Sequence, residues 1–525
     1  MQDSLASIYI RAILFVEEEM KMEEHNILVI SDLHLSEGLD PQKAKFSRLE
    51  DFLLDDAFDR FLRYHERIKE QPRFGGRPWM LIINGDLFDF LQVVSLPREG
   101  RERLTVKGTD GHEKLSRNER DYGLGTTARE SEWKLKRIAQ GHRRFFAALG
   151  WFLARGNHVA VISGNHDIEL YWPQVQARFV KEMQRAYTRE RLALDYGPPV
   201  VLEDLKEHVH FYPWFYHEPE HIYVEHGGQY EAANHFRDFL NPVLPEDPRR
   251  IELPWGSLFV RYLFNKVEDV HPFADNIKPA SRYLGWAFKT DPIGTIELAV
   301  TQGWTFLRAL WNVSFKTATS VLGNRREQRQ PTSYDHTSLP PEVTEAISNL
   351  AKQRVDAVWL EWGGAVVRGL LSALMTLIII TFFVLMGLAL AGGSSWMTVV
   401  YLGAAVLAYF LKRGLKRSLD HIFESDYLLD VAHKLEQILS PTHPVRYVVM
   451  GHCHRAALER IGKRTWYVNT GAWVTVYQQK GPIEGREELT FFRLAWGYEG
   501  TPELLRWDDA AGAPARSMLW ENTGT

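Results

Sequence analysis

The sequence holds one cysteine, Cys453, so no disulfide can close within the chain. That excludes a disulfide framework and suits a reducing compartment. Net charge is lacking too: −5 over 525 residues exerts no global pull toward nucleic acid or anionic lipid. No internal repeat and no low-complexity tract is present. The first 25 residues lack the signature of a signal peptide, because their short apolar run ends on Glu17, Glu18 and Glu19 instead of a small-residue cleavage site. They read as a loosely attached extension, with Met20 or Met22 as alternative starts. The most informative absence lies late in the chain. Residues 369–411 contain no Asp, Glu, Lys, Arg or His, although 25% of the whole sequence is charged and its mean hydropathy is −0.27.

Elsewhere the chain has the character of a soluble α/β protein. NILVISDLH (26–34), WMLIINGDLFD (79–89) and HVAVISGNHD (158–167) each run from a β-branched apolar stretch into polar residues. Buried strands of an α/β sheet have this form, and functional groups collect where such strands end. VHFYPW (209–214), HIYVEHG (221–227), RYVVMGHCHRA (446–456), TWYVNTGAW (465–473) and ELTFFRLAWG (488–497) predict further strands. One helix is predicted over 46–68, with Phe52, Leu53, Phe58, Phe61 and Leu62 on its apolar face, and another over 133–156, closed by Gly156. The polar segment 95–130 reads as an inserted loop. Residues 245–325 are rich in Trp, Phe and Leu, with helical spacing over 295–313, and 325–342 reads as a linker.

The polar residues at the strand ends form one set. Asp32 and His34 are one residue apart, Asp86 follows Gly85, Asn165 and His166 follow Gly164, His226 precedes Gly227, and His452 and His454 flank Cys453. Residues i and i+2 of an extended segment point to the same side, so Asp32 with His34, and His452 with His454, can each converge on one point. Asp, Asn and His are hard or borderline donors that suit Mn, Fe or Zn. The alternation turns Cys453 away from its neighbours, toward packing, and Asn469 reads as structural.

D-x-H, G-D, G-N-H-D, H-G and G-H-x-H, in that order, resemble the calcineurin-like metallophosphoesterases over about residues 26–235 and 445–475. SDLHLS, GDLFD, GNHD and GHCHRA look closest to the branch containing UDP-2,3-diacylglucosamine hydrolase, although HGGQYEAAN stands here where that branch has H-G-D. The signatures G-D-x-V-D-R-G and G-N-H-E of Ser/Thr protein phosphatases are absent. The resemblance implies a β-sandwich flanked by helices (αββα). It implies two divalent metal ions (Mn, Fe or Zn), one held by Asp32, His34 and His454 and the other by Asn165, His226 and His452, with Asp86 bridging. It makes Asp86 and His166 catalytic: a hydroxide between the ions attacks phosphorus in line, and His166 stabilises the transition state or protonates the leaving oxygen. Asp167 either orients His166 or faces solvent, and Asp89 either supports the site or caps a loop. Glu169, Gln229, Tyr230 and Asn234 flank the motifs as candidate substrate contacts.

The uncharged run is long enough for two bilayer crossings divided by GGSSW (392–396). Arg368 precedes it and Lys412, Arg413, Lys416 and Arg417 follow, so both ends are expected in the cytoplasm. Under the metallophosphoesterase reading the run separates His226 from His452, which share an ion, so it must cross an even number of times. The expected organisation is an extension (1–25), a first catalytic part (26–244), a Trp-rich helical insertion and linker (245–345), a helical membrane hairpin region (346–425) and a second catalytic part (426–525). The expected function is a membrane-anchored phosphoesterase with its catalytic domain on the cytoplasmic side, acting on a phosphate ester or pyrophosphate that is lipid-linked or membrane-proximal. Membrane lipids are then partners, and nothing in the sequence points to nucleic acid. The alternatives are action on soluble nucleotides and a non-catalytic scaffold.

Overall fold

The computed structural model describes residues 24–97, 115–194, 202–265, 338–351, 427–477 and 485–517, apart from 41–42, 116, 232–233 and 245–246, together with parts of 379–409. The N-terminal extension up to residue 23, the 295–313 helix and most of the linker lie outside these residues.

Strands form where the β-branched runs predicted them. β1 (Asn26–Ile30), β2 (Trp79–Asn84), β3 (His158–Ile162) and β4 (Val209–Tyr212) pair in parallel, with Ile27 opposite Met80 and Met80 opposite His158. β5 (Phe215–Glu218) and β6 (Ile222–Glu225) form a hairpin. The C-terminal part supplies β7 (Tyr447–Met450), β8 (Ala456–Arg460), β9 (Trp466–Thr470), β10 (Thr490–Leu494), β11 (Glu503–Asp508) and β12 (Ala513–Arg516). The first sheet runs β12-β11-β10-β1-β2-β3-β4 and the second β8-β9-β7-β6-β5. Residues after 446 therefore complete both sheets. The sequence patterns predict no separate strand for β5, β8, β11 or β12.

Alternation along the strands sets the layers. Ile27, Val29, Ile82 and Ile162 point between the sheets and meet Ile222, Val224, Val449 and Val468. Leu28, Ile30, Leu81 and Val161 point the other way, against the helices. These helices are α1 (Asp55–Ile68), α2 (Ala128–Gly141), α3 (Arg143–Leu153) and α4 (Pro173–Leu194). On the far side of the second sheet, Tyr223, Val448 and Met450 pack against α5 (Tyr427–Leu439) and the helical residues 341–351. The expected αββα sandwich is the observed layering.

Three helical expectations need correction. The helix predicted over 46–68 starts only at Asp55, and Leu53 is 47% exposed instead of packed. The Glu50 carboxylate accepts from Ser36 N, Gly38 N and Phe52 N, which fixes 47–52 as a loop. The helix predicted over 133–156 is two. Its break is His142, whose buried ring sits 2.8 Å from Asp55 and 3.1 Å from Glu50. The insertion predicted as loop over 95–130 contains a helical turn at Arg117–Tyr122 and the start of α2, where Thr127 and Glu130 form a capping box.

The transmembrane hairpin expected over 369–411 is not found: among the described residues no helix is long and apolar enough to cross a membrane. Residues 369–378 and several positions beyond lie outside the described residues. The described part is helical over 385–391 and 396–404, with a turn between in which Gly392 N donates to Leu388 O. Of the Trp-rich region, residues 247–265 are described. They form a short strand, Asp247–Ile251, and a helical segment from Trp255 to Phe264.

Candidate metal centre

The C-terminal ends of β1, β2, β3, β6 and β7 open at one end of the sandwich, and each is followed by one of the motif segments. The backbone there is forced into unusual shapes. Among the described residues eight non-glycine residues have positive φ, and five of them are Asp32, His34, Asp86, His452 and His454. Each such residue stores about 1–3 kcal/mol, a strain typical of functional sites. Two glycines permit the close approach. A Cβ on Gly164 would stand 2.1 Å from Asp86 Oδ1, and one on Gly85, at φ +77, would stand 2.4 Å from the His226 ring.

The structure brings all the predicted site residues together. Asp32, His34 and His454 offer donor atoms that lie within 4.8 Å of one another, as do Asp86, His226 and His452. His454 Nε2 is 3.2 Å from both Asp32 Oδ1 and His34 Nε2. His226 Nε2 is 3.0 Å from Asp86 Oδ2 and 3.2 Å from Asn165 Oδ1. Asp86 Oδ2 also lies 3.9 Å from His34 Nε2, which places it between the two groups. His452 N donates to Asp32, and His166 N donates to Asp86 Oδ1.

His166 has a defined partner. Its Nδ1–H donates to Asp89 Oδ2 at 2.6 Å, while Asp89 Oδ1 accepts from Leu91 N and Gln92 N. Asp89 thus both caps its loop and orients His166. Asp167 neither orients His166 nor faces solvent: it is buried, its oxygens accept from Gly164 N and Leu87 N, and burial with Asp86 nearby pushes it up to about 7.

The electrostatics fit a cation. Asp32 and Asp86 are fully buried, and among the described residues no lysine or arginine pairs with either. Burial acts to raise both, but His454 and His226 hold Asp32 low, and His226 and His166 hold Asp86 low. His226 Nδ1 faces the Asn84 carbonyl at 2.9 Å and must donate to it. Its Nε2 lone pair is therefore aimed at Asp86 and Asn165. Two oxygens cannot face a bare lone pair favourably, so a proton or a cation must lie between them. Burial lowers His226, yet Asp86 and Asp32 raise it to about 9, the response of an imidazole whose site demands positive charge.

The other flanking residues make structural contacts. Glu169 is buried and faces Lys134 Nζ at 4.0 Å; burial raises Glu169 and brings Lys134 down to about 8. Gln229 donates to Glu225, and Asn234 donates to Glu231. Tyr230 is buried. None of these meets the centre directly. Glu231, which the sequence reading passed over, does: its Oε2 lies 2.7 Å from His452 Nε2. Its one signal is its place in HGGQYEAAN, five residues after His226. Asn469 Nδ2 donates to Gly451 O and so braces the turn before His452, the structural part expected of it. Cys453 packs at the edge of the core under the second sheet.

A model of the calcineurin-like phosphoesterase family matches residues 25–297, just over half of the chain. The match is to the family as a whole and singles out no branch. It ends before His452 and His454, which reach the centre through the fold of the C-terminal strands. No curated protein and no solved structure matches the chain.

Proposed function

We propose, from the premise that this chain belongs to the calcineurin-like phosphoesterase family, that it is a metal-dependent hydrolase of phosphate esters or pyrophosphates working at a dinuclear centre. The observation that carries this reading is His226, fixed by the Asn84 carbonyl so that Nε2 faces Asp86 and Asn165. In this reading Asp32, His34 and His454 hold one divalent ion, and Asn165, His226 and His452 hold the other. Asp86 serves both. The ions, of Mn, Fe or Zn, would supply Lewis acidity toward phosphate oxygens and an acidified water as nucleophile.

The chain's own residues do the rest. Asp86 is kept ionised by the surrounding imidazoles. Its second oxygen takes the His166 backbone N–H, which ties the position of His166 to the carboxylate shared by the two groups. Asp89 holds the proton of His166 on Nδ1, and the other ring nitrogen, Nε2, is the one that in this reading protonates the leaving oxygen. The test is a substrate panel (lipid-linked pyrophosphates, cyclic nucleotides and a small chromogenic diester) with metal-stripped protein and added Mn²⁺. Mn²⁺-dependent turnover lost in Asp86→Ala and His166→Ala supports the reading. Full activity in either variant, or none with Mn²⁺, Fe²⁺ or Zn²⁺, overturns it.

A membrane-proximal substrate and a position against the cytoplasmic face of a membrane belong to the same proposal. They rest on the uncharged run and on the exposure of Leu388 (65%), Trp396 (70%) and Val399 (69%). Burying such a side chain gains about 1.5–3 kcal/mol, so a surface of this kind calls for a lipid or protein cover. Recovery of the full-length chain in the soluble fraction after detergent-free lysis would remove this part and leave the hydrolase intact.

A further inference from the structure

Four histidines meet at the opposite end of the first sheet from the candidate centre. His25 precedes β1, His158 opens β3, His208 precedes β4 and His210 lies within it. β3 and β4 pair in parallel with Ala160 opposite His210, so His158 and His208 are also neighbours across the pair. The parity is the same for all. His158 shares a face with Ala160 and Ile162, and His25 with Ile27, residues that point between the two sheets. The four rings therefore gather at the lower mouth of the sandwich. At about 3.3 Å per residue, His158 lies roughly 20 Å along the chain from Asn165.

The rings surround His158. Its ring centroid is 4.6 Å from that of His25, 4.4 Å from His208 and 5.8 Å from His210. His158 Nε2 and His208 Nδ1 are 3.2 Å apart. Two imidazole nitrogens on one tetrahedral zinc, each at about 2.0–2.1 Å, stand about 3.3 Å apart, so this pair already has ligand spacing. The third and fourth nitrogens are farther off, since the groups with all donor atoms within 4.8 Å are those of the main centre among the described residues. A closed four-nitrogen set requires His25 and His210 to move toward the pair. His208 and His210 are half-buried, which leaves a path from solvent.

We propose that His25, His158, His208 and His210 form a second metal site, for a borderline divalent ion such as Zn²⁺, Ni²⁺ or Cu²⁺. An all-imidazole set without carboxylate favours these ions over the harder Mg²⁺ and Mn²⁺. Its donors are also in the right form. Burial and then the neighbouring histidines bring His158 down to about 3, and the same causes lower His210, so both rings are neutral near pH 7 and offer lone pairs. The site is separate from the hydrolytic centre and does not depend on the phosphoesterase reading.

The test uses full-length protein carrying Asp86→Asn, which weakens the main centre, stripped with chelator and titrated with Zn²⁺ and Ni²⁺. The readouts are bound metal per chain and melting temperature. One ion per chain, with a rise in melting temperature that disappears when His158→Asn and His208→Gln are added, supports the site. Asp32→Asn in place of Asp86→Asn repeats the measurement from a different background, in case the first variant does not fold. No zinc or nickel retained in either background, or retention undiminished by the histidine substitutions, overturns it.

Discussion

Asp89→Asn changes the carboxylate oxygen that His166 Nδ1 meets at 2.6 Å and His34 Nδ1 faces at 3.8 Å, while leaving the fold almost untouched. The asparagine oxygen can still accept from Leu91 N and Gln92 N, so the loop cap survives. The other side changes. An NH₂ group would then face the His166 Nδ1–H across the present 2.6 Å contact, donor against donor. The imidazole must take the opposite tautomer or rotate away. A hydrogen bond to a charged partner contributes about 1.5–3 kcal/mol. At 1.36 kcal/mol per decade, kcat should fall about 10- to 150-fold if His166 acts in the transition state and Asp89 holds it there. The pH profile should move as well. An ionised Asp89 favours protonated His166, so its neutralisation should shift the alkaline limb of kcat to lower pH. The assay is kcat against pH with a chromogenic diester at saturating Mn²⁺, in wild type, Asp89→Asn, His166→Ala and the double variant. Asp89→Asn should add much less in the His166→Ala background, where only its longer contact to His34 is left to lose. An unchanged kcat in Asp89→Asn, or a full additive loss in the double variant, refutes the reasoning.

Other expectations follow from single contacts. Gly85→Ala would place a Cβ 2.4 Å from the His226 ring at φ +77, so overpacking at about 1–3 kcal/mol and left-handed backbone strain should add; a lowered melting temperature with weakened Mn²⁺ binding is expected, and wild-type values for both would show that the ring has room to move. His142 is lowered by burial but raised to about 10 by Glu50 and Asp55, above its unfolded value near 6.5. Its contribution to stability is therefore full below about pH 6.5 and lost as pH rises toward 10. Denaturant midpoints across that window should fall in wild type and fall less steeply in His142→Gln; parallel curves would sink the assignment. Mn²⁺ added to metal-stripped protein should raise the melting temperature, by about 2.7 kcal/mol of added stability at a hundredfold excess over Kd, and Asp86→Asn should reduce that gain.

Where the chemistry is carried by short local patterns, the sequence was readable. β1, β2 and β3 announce themselves as Val/Ile-rich runs, and the glycines beside Asp86 and Asn165 mark where backbone must pass close to a donor. Gathering seven predicted donors and His166 at one sheet end required only that strand ends coincide. What escaped reading was tertiary in origin. The helix break at His142 is made by Asp55, 87 positions earlier, and its one local signal is Gly141, a single glycine inside a helical pattern. Residues 47–52 have an amphipathic pattern, yet Glu50 has more to satisfy by binding the loop after β1 than by continuing a helix. Glu231 carries no motif, and it reaches His452 only because the β6 and β7 loops lie side by side. Asp89 and Asp167 are both acidic neighbours of His166 in sequence or space, and which of them holds the ring is decided by loop geometry alone.

The placement of β1 has a consequence for biosynthesis. Ile27 pairs with Leu494 on one side and Met80 on the other. At about 5–20 residues per second, roughly half a minute to a minute and a half of translation separates β1 from its antiparallel neighbour. During that interval one edge of β1 is bare on the ribosome, a template for wrong pairing unless something shields it. The same delay withholds His452 and His454, so the nascent chain can assemble the motifs of its first half but not complete either donor group. In the proposed reading, metal loading thus waits until the segment after β7 has been made, and the order of translation itself keeps the first half of the chain from hydrolysing substrate on its own.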